Sequence, residues 1–222
     1  MGQDFGDEVT LNGVYSWAGE TASHGRRAYA YTPTMPAFLL EEPFDEEGPE
    51  AMNYNSNAVP PVRRFVYWGL LSTIGGYVAG NGYIWRFNDG WENHLDTPGT
   101  LDLKRLNDLW QSLPWWRLVP EGLGGMGMLV TAGNGIIDHD YVAAAATSEG
   151  DLLLAYVSPD HSGTVAIDMS KMRGLVRARW FDPTSGLYTA IGTYPNISEH
   201  TFTTPGTNSA GSRDWVLQLD LE

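Results

Sequence analysis

Residues 113–127 read LPWWRLVPEGLGGMG, and the chain changes character across them. On the N-terminal side, short apolar runs alternate with helix-spaced ones. Residues 9–14 and 37–40 are short, largely apolar runs that look like buried strands, whereas 62–74 and 101–113 repeat apolar residues at helical spacing. Pro60 and Pro61 stand where a helix can begin, and Gly75 and Gly76 where it would end. Thr100 is placed to cap the next helix, whose Leu103, Leu106, Leu109, Trp110 and Leu113 share one face. The order βαβαβα implies parallel strands covered by helices.

On the C-terminal side only strand patterns occur, at 141–146, 152–157, 164–167, 176–181, 188–191 and 215–221. Turn residues such as Glu149-Gly150, His161-Ser162-Gly163 and Thr184-Ser185-Gly186 separate them, a spacing that suits an antiparallel β-sandwich. The fold class is therefore α/β followed by all-β, with domains at 1–113 and 114–222. Trp115 and Trp116, at the junction, are expected to be buried between the domains.

Charge and composition exclude several functions. Asp and Glu number 27 against 13 Lys and Arg, a net charge of -14, so nucleic acid and anionic membrane are poor partners. Without cysteine there is no disulfide, thiolate metal site or cysteine nucleophile. The apolar runs are too short to span a bilayer. Histidines 24, 94, 139, 161 and 200 lack ligand spacing, and Gly124-Gly125-Met126-Gly127 lacks the completed spacing of a dinucleotide loop, so no metal or cofactor is implied. Asn196-Ile197-Ser198 fits a glycosylation acceptor and is given no role.

The stretch 36–47, PAFLLEEPFDEE, runs a buried strand straight into carboxylates. In a parallel barrel the C-terminal strand ends open onto the active-site face. A carboxylate there, walled by aromatic rings, can attack an anomeric carbon as an oxocarbenium-like transition state develops. A solvated acidic loop has the same composition, and spacing leaves the two readings open. Neighbours along a strand point to opposite faces, so only one of Glu41 and Glu42 can address a barrel axis. Asn12 and Tyr15 end the first strand and read as substrate binders. Trp85 and Trp91 bracket a loop rich in glycine and asparagine, where a ring could stack on a sugar or simply pack.

Taken in order, Pro36, Glu41, Phe44, Asp45, Arg63, Tyr67, Trp68, Gly76, Gly80, Asn81 and Trp85 resemble the pattern of the apiosidase-like glycosidases. The segment 113–120, the Trp180-Phe181-Asp182-Pro183 turn with Gly186, and Asp214-Trp215-Val216-Leu217 resemble the domain that follows those barrels, which carries a collagen-binding name. The resemblance implies the last βα units of a (β/α)8 TIM barrel followed by the sandwich, and a secreted or periplasmic setting. It implies a carbohydrate substrate and selects Glu41 as the nucleophile, with Asn12, Tyr15, Phe44, Asp45, Asn81 and Trp85 as substrate contacts. Phe44 and Asp45 stand where the family usually has Tyr and Glu, Ala79 replaces a Tyr, and Thr73 a Gly. A retaining glycosidase also needs a second carboxyl. The family takes it from an earlier strand that this chain is expected to lack, so the chain alone is expected to be weak or inactive. Its partners would be the missing barrel half or a second copy. The rival expectation is a non-catalytic module that binds carbohydrate or matrix; a third is a sandwich that only braces the barrel.

Overall fold

The computed structural model describes residues 8–47 and 61–222. The chain divides into two units, Met1–Lys104 and Arg105–Glu222, and the division falls inside a helix, ahead of the expected boundary at 113/114.

The first unit is mixed α/β. Its elements are β1 (Asn12–Val14), α1 (Thr21–Tyr29), β2 (Ala37–Asp45), α2 (Val62–Thr73), β3 (Ile74–Asn81) and the start of α3 (Pro98–Gln111). The three strands form one parallel sheet in the order β1-β2-β3. Every residue of α2 is buried, two arginines included, as befits a helix that is apolar on most sides. Arg63 donates from Nη1 to Oδ2 of Asp102 on α3 at 2.6 Å, and the Arg64 guanidinium lies 4.5 Å from the Trp68 ring centroid. A Cβ on Gly69 would come within 2.8 Å of Leu39, so glycine there lets α2 settle directly on β2.

The second unit is built from antiparallel strands: β4 (Leu118–Pro120), β5 (Val130–Ala132), β6 (Val142–Thr147), β7 (Leu152–Val157), β8 (Thr164–Asp168), β9 (Leu175–Phe181), β10 (Tyr188–Pro195), β11 (Glu199–Thr203) and β12 (Trp215–Leu221). They form a six-stranded sheet, β10-β9-β12-β7-β6-β4, and a three-stranded one, β11-β8-β5. Val142, Ala144, Leu153, Ala155, Ala178 and Leu217 of the large sheet share a buried core with Val165, Ile167 and Phe202 of the small one. That is the sandwich arrangement, in which inward side chains of both sheets interdigitate. Strands β6 and β7 are buried at every residue, which is why they read as continuous apolar runs rather than alternating ones.

Several expectations need correction. The first strand starts at Asn12, not at residue 9. Gly75 and Gly76 do stand just past the end of α2, whose C-cap is Ile74, but they have a second role. They belong to β3, where a Cβ on Gly75 would lie 2.2 Å from the Ala37 carbonyl oxygen, so strand contact demands the glycine. Of the two prolines, Pro61 caps α2 and Pro60 lies outside the described residues. Thr97, rather than Thr100, caps α3: its Oγ1 accepts from the Thr100 amide at 3.2 Å, and Pro98 takes the first helical position. Trp116 is 67% exposed, against the expected burial. A 3-10 turn over Trp115–Arg117 sends successive side chains to different sides, so Trp115 stacks on Trp110 while its neighbour turns outward. Strands β4, β5 and β11 were not expected.

Buried carboxylates fasten the loops of the sandwich. Asp182 accepts from the amide and hydroxyl of Thr184, the amide of Ser185, and the amide and hydroxyl of Ser209. Burial pushes this carboxyl up, yet the hydrogen bonds from Ser209 and Thr184 outweigh burial and hold it well below the ordinary value of 3.8. Its contribution to stability is therefore complete above that ordinary value and is lost as the pH falls toward the folded one. Asp182→Ala should cost about 1–3 kcal/mol at neutral pH by leaving buried donors unsatisfied. The loss should shrink in acid below the ordinary value, as thermal unfolding of both proteins across pH would show; an equal melting temperature at pH 7 would refute it.

Candidate functional site

Parallel pairing places the C-terminal ends of β1, β2 and β3 along one edge of the sheet. In open α/β sheets that edge is where ligands bind. Tyr15 follows β1, the carboxylate run ends β2, and Asn81 ends β3.

Along β2 the faces alternate at first. Ala37 and Leu39 are buried on the helix side, whereas Phe38 and Leu40 lie on the other face and are half-buried. Continued alternation would send Glu41 to the helix side with Leu39. Instead Glu41 has φ 70, in the left-handed region, and the ladder slips: Glu41 pairs with Ala79 and Asp45 with Asn81, so β2 advances four residues while β3 advances two. Such a bulge re-aims side chains, and a left-handed non-glycine residue costs about 1–3 kcal/mol. The Glu41 side chain is half-buried, unlike Leu39 at 1% exposure. The simple alternation argument for choosing between Glu41 and Glu42 therefore does not hold at the bulge; the side chain of Glu42 lies outside the described residues.

The residues after the bulge form a tight cluster. Thr97 donates its hydroxyl to Asp45 Oδ2, and a Cβ on Gly99 would collide with that same carboxylate, so Asp45 sits at the N-terminus of α3. The Asp45 carbonyl accepts from the Gly82 amide at 2.7 Å. Glu46 Oε2 contacts His94 Nδ1 at 2.7 Å and accepts from Asn81 Nδ2 at 3.3 Å. The Tyr83 ring stacks on His94 with centroids 3.8 Å apart, and Asn81 Oδ1 accepts from the amides of Tyr83 and Ile84. Phe44 is buried against Gly80 and meets Trp85 edge-on at 6.5 Å. Trp85 is 56% exposed, with the Arg86 guanidinium 4.9 Å from its ring centroid.

Asn12 and Tyr15 stand elsewhere. They line a groove of about 370 Å³ with His24, Arg27 and Tyr31, and none of the other candidates lines it. Asn12 Nδ2 donates to the Ala28 carbonyl at 3.2 Å, and the groove follows β1, an edge strand among the described residues. The structure thus brings Asn81 to Glu46, Trp85 to Phe44 and Asp45 to Thr97, while Asn12 and Tyr15 line a groove that none of these lines. Glu46, His94, Tyr83 and Thr97 escaped sequence reasoning. Thr97 was legible from the proline after it, whereas nothing local links Glu46 to a histidine 48 residues on. Among the described residues no group of three or more His, Cys, Asp or Glu could hold a metal ion.

Residues 8–117 match the family described as "Apiosidase-like, catalytic domain", and residues 129–220 match "Putative collagen-binding domain of a collagenase". Over these two segments the chain is similar to those families. Among solved structures it resembles a glycoside hydrolase at 22% identity and TM-score 0.72, covering 91% of this chain and 46% of that one. It also resembles a glycoside hydrolase family 5 protein from Bacteroides vulgatus at 24% identity and TM-score 0.71, covering 91% and 45%. The chain therefore spans less than half the length of either, and at these identities the likeness is one of fold. No curated protein matches the sequence.

The loop 82–95 of this apiosidase-like segment is held to β2 by Glu46. His94→Ala removes both the carboxylate contact and the Tyr83 stack, so amide hydrogen exchange across 83–95 should quicken and stability fall by about 1 kcal/mol. Unchanged exchange there would show that the loop is held by other means.

Proposed function

We propose that this chain is part of a glycoside hydrolase, in which Glu41 is the nucleophile of a retaining mechanism. The observation that carries the reading is the left-handed backbone at Glu41, where the bulge of the central parallel strand begins. Inference runs from such an outlier to function, because strain of this kind persists where a side chain must be aimed. The family match over residues 8–117 supports a glycosidase-type reading of this segment.

In this reading the first unit is the last βα portion of a (β/α)8 barrel, the sandwich begins at 114, and carbohydrate is the substrate. Glu41 attacks the anomeric carbon as the leaving group departs, forming a glycosyl-enzyme that water then hydrolyses. The acid that protonates the leaving oxygen stands about 5–5.5 Å away in retaining enzymes and would come from a strand outside the three described. Trp85 offers an exposed ring for stacking, and Asn12 and Tyr15 would contact substrate from β1. Asp45 and Asn81 act through the wall they build, since their polar atoms are engaged by Thr97, Glu46 and the 83–84 amides.

That engagement also favours a second reading, a non-catalytic carbohydrate- or matrix-binding module, in which the cluster only shapes a surface. Glu41→Ala separates the two: hydrolysis should fall by at least about 10³-fold while binding persists. The direct test is incubation with a slow fluorinated glycoside followed by peptide mass mapping. An adduct on Glu41 is expected; one on Glu42 or Asp45 would overturn the assignment. The chain alone should label only with substrates whose good leaving groups need little protonation.

The sheet edges add an expectation of their own. Three parallel strands cannot close, so β1 and β3 present backbone groups that suit the rest of a barrel or a second copy. Light scattering of the isolated chain should show association, and a cooperative monomer would refute it.

A further inference from the structure

The second unit holds a cleft of about 320 Å³ between the last turns of α3 and the turn joining β9 to β10. Its volume lies at the lower end of small-molecule sites, which run from about 300 to 1,000 Å³. None of the strand-end candidates lines it. One wall is mostly polar: Arg105 and Asp108 of α3 and Ser112 just after it recur at three- and four-residue steps, with the buried Leu109 beside them. The Ser112 hydroxyl donates to the Leu109 carbonyl at 2.7 Å, which leaves its oxygen able to accept.

The opposite wall is aromatic and rigid. The rings of Phe181 and Tyr188 have centroids 5.1 Å apart. The Tyr188 hydroxyl donates to Gln218 Oε1 at 2.8 Å, and the Arg179 guanidinium lies 4.2 Å from its ring centroid. Ser185 sits in the turn that the Asp182 carboxylate fastens. Gly186 has φ 77, a left-handed conformation that favours glycine, and a Cβ there would be in ordinary contact with the Arg105 side chain at 3.8 Å. The cleft is therefore preformed, and a ligand would lose little of its binding energy to ordering the protein.

The lining selects a ligand class. One arginine and one aspartate balance in charge, which favours neither an anion nor a cation. A polar wall facing an aromatic one suits a molecule with hydroxyls on one side and C–H bonds on the other, which is the surface of a sugar ring. We propose that this cleft is a saccharide site of the second unit, taking a short stretch of a neutral glycan. The saccharide class rests on the glycosidase reading above.

Affinity gel electrophoresis of the chain tests it, with soluble arabinoxylan, mixed-linkage β-glucan, galactan and polygalacturonate in the gel and a triple-helical proline-rich collagen peptide as a separate probe. At least one neutral polysaccharide should retard the wild type. Ser112→Trp, which fills the cleft from an exposed position just after α3, and Asp108→Ala, which removes one polar partner, should each weaken retardation at least fivefold. Circular dichroism and melting confirm that either variant is folded. Retardation by no neutral polysaccharide, by polygalacturonate alone, or undiminished in both variants overturns the proposal, as does binding of the collagen peptide in place of glycan. Retardation does not use Glu41, so failed labelling there and failed retardation here are separate results.

Discussion

The buried ion pair between Arg63 and Asp102 is the contact on which the first unit's strand-end geometry depends. At 2.6 Å, with both side chains nearly inaccessible, it joins the start of α2 to the first turn of α3. Removing one partner of such a pair typically costs about 3–5 kcal/mol, because the other is left charged and buried. Its consequence here is positional. Fixing the first turn of α3 fixes Thr97 and Gly99, and these hold the Asp45 carboxylate. Asp45 in turn ends the bulged stretch of β2, so the bulge that turns Glu41 out of register is pinned at its far end. A salt bridge between two helices thus braces the residue that closes the bulge of β2.

How far the sequence discloses this depends on whether the signal is local. The long strands of the sandwich were legible because β6, β7, β9 and β12 are sustained apolar runs between turn residues. β4 and β5 are three residues each, and β11, Glu199–Thr203, has a single buried side chain. Such strands owe their existence to neighbours far along the chain, which no window of sequence contains. Two helices, α2 and α3, were legible within a few residues, whereas α1 was given no range. Gly75 reads as a helix stop and is also a point of strand contact.

The candidate site divides along the same line. The apolar run 37–40 marked where β2 begins, but the strand continues through the carboxylates to Asp45. The argument that only one of two neighbouring carboxylates can face a barrel axis relied on regular alternation, and the backbone departs from regularity at Glu41. The contact of Glu46 with His94 and the stack of Tyr83 on that histidine join pieces from two loops. Histidines judged by spacing alone could not reveal it.

Residues that carried the family resemblance in the second unit prove to be structural when their contacts are followed. Trp180 donates from Nε1 to the Thr203 carbonyl, which ties the large sheet to β11. Asp214 accepts from the Tyr156 hydroxyl at 2.9 Å and from Asn208 Nδ2 at 2.9 Å. Glu121, buried, accepts from the amides of Leu129 and Val130 and so anchors the start of β5. Each carboxylate satisfies amides or hydroxyls that would otherwise be buried without partners, a requirement met by only a few residue types. In the first unit Asp102 and Asp45 hold structure in the same way, through Arg63 and Thr97, whereas Glu41 lies half-buried on a left-handed backbone. The same residue type thus carries two meanings in one chain: enclosed and saturated with donors it marks architecture, and half-buried on a strained backbone it marks a place where chemistry can occur.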